Sequence, residues 1–226
     1  MEGGCAVAGV SWPVLPRLKA DLPPEWVLAE PPPIPDLPGL TATRSGHTLV
    51  ALRCADHATD AEMVAAWMSL PHLAETWQQA WPTERWTSHI EAQLAGTYSV
   101  PAIVLWEGAP VGYVEIYRAA RDEVGCCYHS EPHDMGFHIA VGRPELTGRG
   151  RFSPLLPILA DALMVADPSC EVVVADPDVD NVRMHRALSR HGWRGGAEVE
   201  TRPGRRIRLF HRTAGHVDPA NRGLLT

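Results

Sequence analysis

Apolar and polar positions alternate or cluster along most of the chain after residue 46, and their spacing sets out a series of elements. HTLVALRC (47–54) reads as a strand. Asp60 stands where it can cap a helix over 61–70, in which Met63, Trp67 and Leu70 recur at helical spacing. Pro71 ends that helix, and 72–81 forms a second short one. Pro82 opens a third over 83–96, stopped by Gly96. Apolar runs at 100–108, 110–120 and 134–142 predict three strands, the first two joined at Gly108 and Pro110. Helix 154–167, strand 171–176 and helix 181–193 follow, the last closed by Gly192. Segment 196–212 reads as a hairpin turning at Pro203-Gly204. This order calls for a mixed sheet with helices on its faces, an α/β or α+β sandwich.

Proline sets off the first part of the chain. Residues 1–44 hold Pro13, Pro16, Pro23, Pro24, Pro31, Pro32, Pro33, Pro35 and Pro38. Such a segment is an extended arm or a partly disordered tail, which Trp12 and Trp26 could pin to the domain. Residues 45–212 are the globular domain, and 213–226 read as a loose tail.

Composition narrows the function classes. With 226 residues, 45% hydrophobic and 21% charged, the chain suits one large domain with an extension. A formal net charge of -7 argues against a nucleic-acid partner. No apolar run approaches the ~20 residues of a membrane span, and the N-terminus lacks a secretory pattern, so a cytoplasmic protein is expected. Five cysteines without a C-x-x-C pair indicate neither a disulfide framework nor a zinc site, and adjacent Cys126 and Cys127 read as packing. DPDVDN (176–181) imitates a calcium loop, but Asn181 replaces its glycine and Ala187 its final glutamate, so no metal is expected.

The chemistry concentrates in PHDMGFHIAVGRPELTGRGRFSPLLPIL (132–159). A strand carrying His138, a loop with Gly148 and Gly150, and a helix N-terminus make an anion cradle. Unpaired backbone N–H groups and the helix dipole point at whatever phosphate sits there. A lone histidine in an apolar strand is equally what a satisfied core residue looks like, and Asp176 is equally a turn or helix cap. His133 and Asp134, flanking a turn, read as structural.

The layout resembles the GCN5-related N-acyltransferases, which bind acyl-CoA between two splayed central strands. Within them it is similar to the siderophore lysine or N6-hydroxylysine acyltransferases. The resemblance covers about residues 45–212 and rests on five segments: 62–82, 85–101, GYVEIYRAARD (112–122), PHDMGFHIAVG (132–142) and ADPDVDN (175–181). It implies a mixed central sheet, splayed at the acyl-CoA site and covered by helices on both faces. It implies that Ile139, Ala140 and Val141 lie beside the pantetheine arm. Thr147, Gly148, Arg149, Gly150, Arg151 and Ser153 would hold the diphosphate, with Phe152 standing where the family pattern R/Q-x-x-G-x-G/A has a small residue. Asn181 matches the asparagine that touches pantetheine, and Leu188 stands where many members carry a tyrosine general acid. His138 and Asp176 match the histidine and aspartate proposed as catalytic in the mycobactin branch.

That pair suits the chemistry. A lysine amine, with a pKa of about 10.4, is protonated at neutral pH, and freeing it costs roughly 4–5 kcal/mol. A histidine oriented by a carboxylate supplies the base. N-hydroxylation lowers the basicity of the amine, so a hydroxylysine needs that base less. His72, Trp77 and Trp81, on short proline-bounded helices, are candidates for the acceptor wall, with core packing as the alternative. Glu115 and Arg118 are candidates for the acceptor's amine or carboxylate.

The expected reaction moves an acyl group, acetyl or longer, from acyl-CoA or a carrier-protein thioester to the N6 nitrogen of lysine or N6-hydroxylysine. The partners are then a small-molecule amine and, for a carrier-bound donor, an acyl carrier protein, with no nucleic acid and no membrane. Two alternatives remain at this point: an aminoglycoside 6′-N-acetyltransferase, and a non-catalytic CoA-binding or carrier-docking module.

Overall fold

In the computed structural model of the chain, residues 4–7, 10–13, 31–36, 41–44, 47–128, 130–147, 150 and 152–213 are described. The strands are β1 (Gly4–Val7), β2 (Val10–Pro13), β3 (Thr41–Arg44), β4 (His47–Cys54), β5 (Ser99–Trp106), β6 (Ala109–Arg118), β7 (Met135–Val141), β8 (Val172–Ala175), β9 (Arg194–Arg202) and β10 (Arg205–Thr213). The helices are α1 (Ala61–Met68), α2 (Pro71–Trp77), α3 (Thr83–Ala95), α4 (Leu155–Ala166) and α5 (Val182–Arg190). Strands β1 and β2 pair with each other, and the other eight form one sheet in the order β3-β4-β5-β6-β7-β8-β10-β9. All its neighbours are antiparallel except β7 and β8. The mixed sheet expected from the sequence is present.

Period-two alternation divides the sheet between two cores. Val114, Ile116 and Phe137 pack with Leu159 and Leu163 of α4 and Leu188 of α5. Ile103 and Tyr113, on the opposite face, pack with Val64 and Met68 of α1 and Trp86 and Ile90 of α3. The sheet is therefore covered on both faces.

The exception in pairing creates the opening. β6 and β7 stay in register from Gly112–Val141 to Arg118–Met135. β7 and β8 pair only at Met135–Val173 and Gly136–Val174. From Phe137 onward the two strands part, and a cleft open to solvent lies between them.

Several local expectations change. Asp60 makes no side-chain cap to α1. Its carboxylate instead accepts from Arg53 Nη1 and Nη2, at 2.6 and 2.7 Å, and from the Asp56 N–H at 2.8 Å. The guanidinium offers two charge-assisted bonds, which outweigh one neutral cap. Phe152 turns into the first core, where its ring packs 5.5 Å from Trp106. Among the cysteines, Cys54 and Cys170 are free thiols, while Cys127 is disulfide-bonded, which the sequence did not indicate. Burial pushes the Cys170 thiol up to about 12.

The proline-rich arm is held where it is described. The Ile34 N–H donates to the Thr97 carbonyl at 2.7 Å, and the Ile34 side chain packs on the first core. Thr41–Arg44 pairs with β4 and carries the sheet ahead of residue 45. Trp26 and the tail beyond Thr213 lie outside the described residues.

Candidate active site

Strand register brings His138 and Glu115 together. They are direct partners across β6 and β7, so both side chains leave the same face. His138 Nδ1 lies 3.2 Å from Glu115 Oε2. On the other side of the ring, Nε2 lies 3.1 Å from Asp176 Oδ1, just beyond the end of β8. Both carboxylates are almost wholly buried, at 3% and 4% exposure. With Nδ1–H given to Glu115, the Nε2 lone pair is left towards Asp176, a close contact without hydrogen-bond geometry, and it can take a proton whose charge the carboxylate then balances. The pair is thus built to hold and pass one proton.

Other side chains fix each member. The Tyr117 hydroxyl donates to Asp176 Oδ1 at 3.0 Å, and its ring lies 4.5 Å from that of His138. Arg205 Nη2 donates to Asp176 Oδ2 at 3.1 Å. Glu115 Oε1 is 2.8 Å from His89 Nε2 and accepts from the Tyr113 hydroxyl at 3.3 Å. Trp77 meets the His138 ring edge-on at 5.8 Å. Gly136 makes room for Tyr117: a Cβ there would fall 2.5 Å from its ring. A side chain at 136 would displace the hydroxyl from Asp176.

The cleft is lined by Thr76, Trp77, Phe137, His138, Ile139, Leu156, Asp176, Asn181, Leu188 and Arg205, among others. Of the residues expected beside pantetheine, Ile139 and Asn181 face it, and Asn181 Oδ1 also caps α5 by accepting from the Met184 N–H at 3.1 Å. Ala140 packs into the second core, and the Val141 carbonyl lies 3.1 Å from His72 Nε2. Leu188 is fully buried.

In the expected diphosphate loop, Gly150 takes a left-handed φ of 68°, which favours glycine. Ser153 donates to the Gly150 carbonyl at 3.0 Å, Thr147 donates to the Pro144 carbonyl at 2.8 Å, and α4 starts directly behind. Gly148, Arg149 and Arg151 lie outside the described residues.

Three of the expected acceptor residues go elsewhere. His72 anchors α2 to β7 instead of lining the cleft. Trp81 packs against Trp86 and His89, at 5.1 and 5.4 Å, with Arg85 over its ring. Arg118, 1% exposed, is consumed by structure: it donates to the carbonyls of Pro32, Pro33 and His133 and pairs with Asp167 at 2.7 Å. These four contacts engage all three guanidinium nitrogens and give the Pro32 and Pro33 carbonyls their donors. Glu115 sits beside His138 and is not among the residues that line the cleft.

Tyr117, Arg205, His89 and Tyr113 were missed. Tyr113, Glu115 and Tyr117 recur every second residue, so a polar-tipped row on one strand face was legible. Nothing local marks Arg205, which reaches the site from a hairpin far along the chain.

The site thus combines splayed parallel strands, a glycine-bearing loop before a helix and a clamped histidine. Residues 56–201 match the acetyltransferase (GNAT) domain. The chain belongs to the GNAT acetyltransferase family. A lysine N-acyltransferase MbtK of Mycobacterium sp. (strain MCS) is 40% identical over 180 residues, 80% of this chain and 70% of that protein. An Escherichia coli N(6)-hydroxylysine O-acetyltransferase is 31% identical over 161 residues, 71% of this chain and 51% of that protein. The solved aminoglycoside acetyltransferase AAC(6′)-Ib in complex with coenzyme A superposes with a TM-score of 0.65 at 23% identity, over 74% of this chain and 95% of that one. That likeness establishes the GNAT fold and no more. Among the described residues, no group of three or more potential ligand side chains could hold a metal, and no helix is long and apolar enough to cross a membrane.

Proposed function

We propose that this GNAT N-acyltransferase moves an acyl group from acyl-CoA to the N6 nitrogen of lysine or N6-hydroxylysine, as a step towards a hydroxamate siderophore. The observation that carries the reading is His138 held between Glu115 and Asp176 at the mouth of the strand splay. A protonated amine entering the cleft gives a proton to the His138–Asp176 pair. The nitrogen then attacks the thioester carbon, the C–N bond forms, and the C–S bond breaks. With Leu188 where many members carry a tyrosine, the second proton lost by the nitrogen is the one available to the leaving sulfur. Ile139 and Asn181 are the residues we assign to the pantetheine arm, and the loop before α4 to the diphosphate. A carrier-protein thioester presents the same arm and is the second donor to test. We place the reaction in the cytoplasm.

The test is thiol release from a panel of acyl-CoAs and acyl carrier proteins, with mass spectrometry of the products. Lysine and N6-hydroxylysine should be acylated in preference to kanamycin and to simple amines. No turnover of either lysine derivative would sink the reading.

A further inference from the structure

Arg205 opens β10 immediately after the hairpin turn, and its side chain is 6% exposed. Nη2 is given to Asp176, and Nε lies 3.1 Å from Glu123 Oε1. Nη1 has no protein partner among the described residues. It is also absent from the buried polar atoms sealed without one, and Arg205 lines the cleft. Nη1 is thus the nitrogen not sealed in the interior, whereas Nε is buried beside Glu123 without hydrogen-bond geometry, and the residue that carries both lines the cleft. Its hold on Glu123 is shared, since Arg202 also reaches that carboxylate at 3.6 Å. An open, desolvated N–H of an arginine selects an anion.

A carboxylate stands on the same wall. The segment after β8 runs beside the start of β10: Val179 N–H donates to the Arg206 carbonyl, Arg208 N–H to the Pro177 carbonyl, and Asp178 bridges Ile207. Asp178 also lines the cleft, and one of its oxygens accepts from the Asp180 N–H at 2.9 Å. One wall thus offers a cation and an anion, a short distance from the His138–Asp176 pair. An extended lysine separates its N6 nitrogen from its α-carboxylate by roughly 7 Å of bonded chain.

We propose that Arg205 and Asp178 hold the zwitterionic head of an α-amino-acid acceptor, Arg205 taking the α-carboxylate and Asp178 the α-ammonium. The assignment rests on the N6-acylation reading above. It makes the hairpin the element that selects an amino acid over a plain diamine. Glu115 and Arg118, the sequence's candidates for this role, are both engaged elsewhere.

The experiment compares kcat/KM for lysine, lysinamide, cadaverine and Nα-acetyl-lysine in the wild type, Arg205→Gln and Asp178→Asn. Because Arg205 also holds Asp176, its loss slows every acceptor; the ratio between acceptors isolates the head-group contact. The wild type should prefer lysine to lysinamide and cadaverine by roughly 10- to 100-fold, the effect of a charged hydrogen bond. Arg205→Gln should collapse that preference, and Asp178→Asn should collapse the preference for lysine over Nα-acetyl-lysine. Unchanged ratios in both variants would overturn the assignment. So would an Arg205→Gln effect that follows succinyl-CoA against acetyl-CoA, which puts the anion on the donor. Asp178 stands in a loop outside the core, so Asp178→Asn still reads the head-group contact if Arg205→Gln fails to fold. If lysine is not a substrate, the same ratios are read with N6-hydroxylysine and its Nα-acetyl and carboxamide derivatives; a wild type that acylates neither lysine nor N6-hydroxylysine defeats the N6-acylation reading itself, and the clamp with it.

Discussion

Two histidine–carboxylate groups lie along β7, one just before its start and one at its middle, and the second of them faces the cleft. His138 meets Glu115 and Asp176 where β7 and β8 part. His133, just before β7, meets Asp167 through Nδ1 at 2.9 Å where the strands are still paired, and Arg118 closes that group. The residue types are nearly the same. At the paired end they tie the proline arm and the turn before β7 to the domain. At the splayed end the same chemistry borders substrate space. Histidine and aspartate in contact are thus no sign of catalysis by themselves, and neither is exposure, since the His133 side chain is 39% exposed and that of His138 11%; the cleft beside His138 is what distinguishes the two.

The strongest way to test this contrast is to disable each group in turn. Asp176→Asn or His138→Gln should lower kcat/KM for lysine by about 10²- to 10⁴-fold, the range for a lost acid–base group. The fall should be smaller for N6-hydroxylysine, whose nitrogen enters neutral. His133→Gln should leave kcat/KM unchanged, and an equal loss there would dissolve the distinction.

Arg118→Met is the matching cut at the structural end. It strands Asp167 and three carbonyls, so urea unfolding should show a loss of about 3–5 kcal/mol, as for a buried pair deprived of one partner. Activity per folded molecule should hold. Gly136→Ala lies between the two ends. Its Cβ collides with the Tyr117 ring, so a loss of about 1–3 kcal/mol is expected from overpacking. A drop in kcat with KM little changed should accompany it, because Tyr117 then leaves Asp176. A destabilised variant with wild-type kcat would show that Tyr117 has no part in positioning.

The smallest effect is in acid. Burial pushes the Asp167 carboxyl up, but hydrogen bonds from His133 and Arg118 outweigh it and hold the group below its ordinary range. A lowered folded value means that the contribution is fully present above the unfolded value of about 3.9 and is lost as pH falls through the folded one. Asp167→Asn should therefore flatten the acid limb of stability, followed by urea titration at stepped pH. The Asp60 carboxyl, held down by Arg53, contributes a second decline with the same sign. An acid limb unchanged in Asp167→Asn would remove that group from the account.

Much of the fold was legible because its signals are local. The hairpin at Pro203-Gly204 appears as read, with Gly204 at φ 80°, and Gly192, also at φ 80°, ends α5. Proline and glycine write their backbone preferences into the sequence directly. Strand spacing likewise exposed β5, β6 and β7, and the motif around His138 pointed to the GNAT family. The cap assigned to Asp60 failed because a competing donor, Arg53, lies on a strand and reaches it only once α1 has docked.

The sequence by itself determined the elements from β4 onward and the two-sided sheet, which follow from periodicity and turn residues, while His138 and Asp176 became candidates through the family resemblance; the strands within the proline-rich arm were not legible. Only the tertiary structure decided where the β7–β8 ladder stops, which charged side chains the core consumes, and that Arg205 arrives beside Asp176. Arg118 and Arg205 look alike along the chain. One is enclosed by carbonyls of the proline arm and the other opens onto a cleft, because strand register and long-range packing, which no local pattern encodes, fix what surrounds each guanidinium.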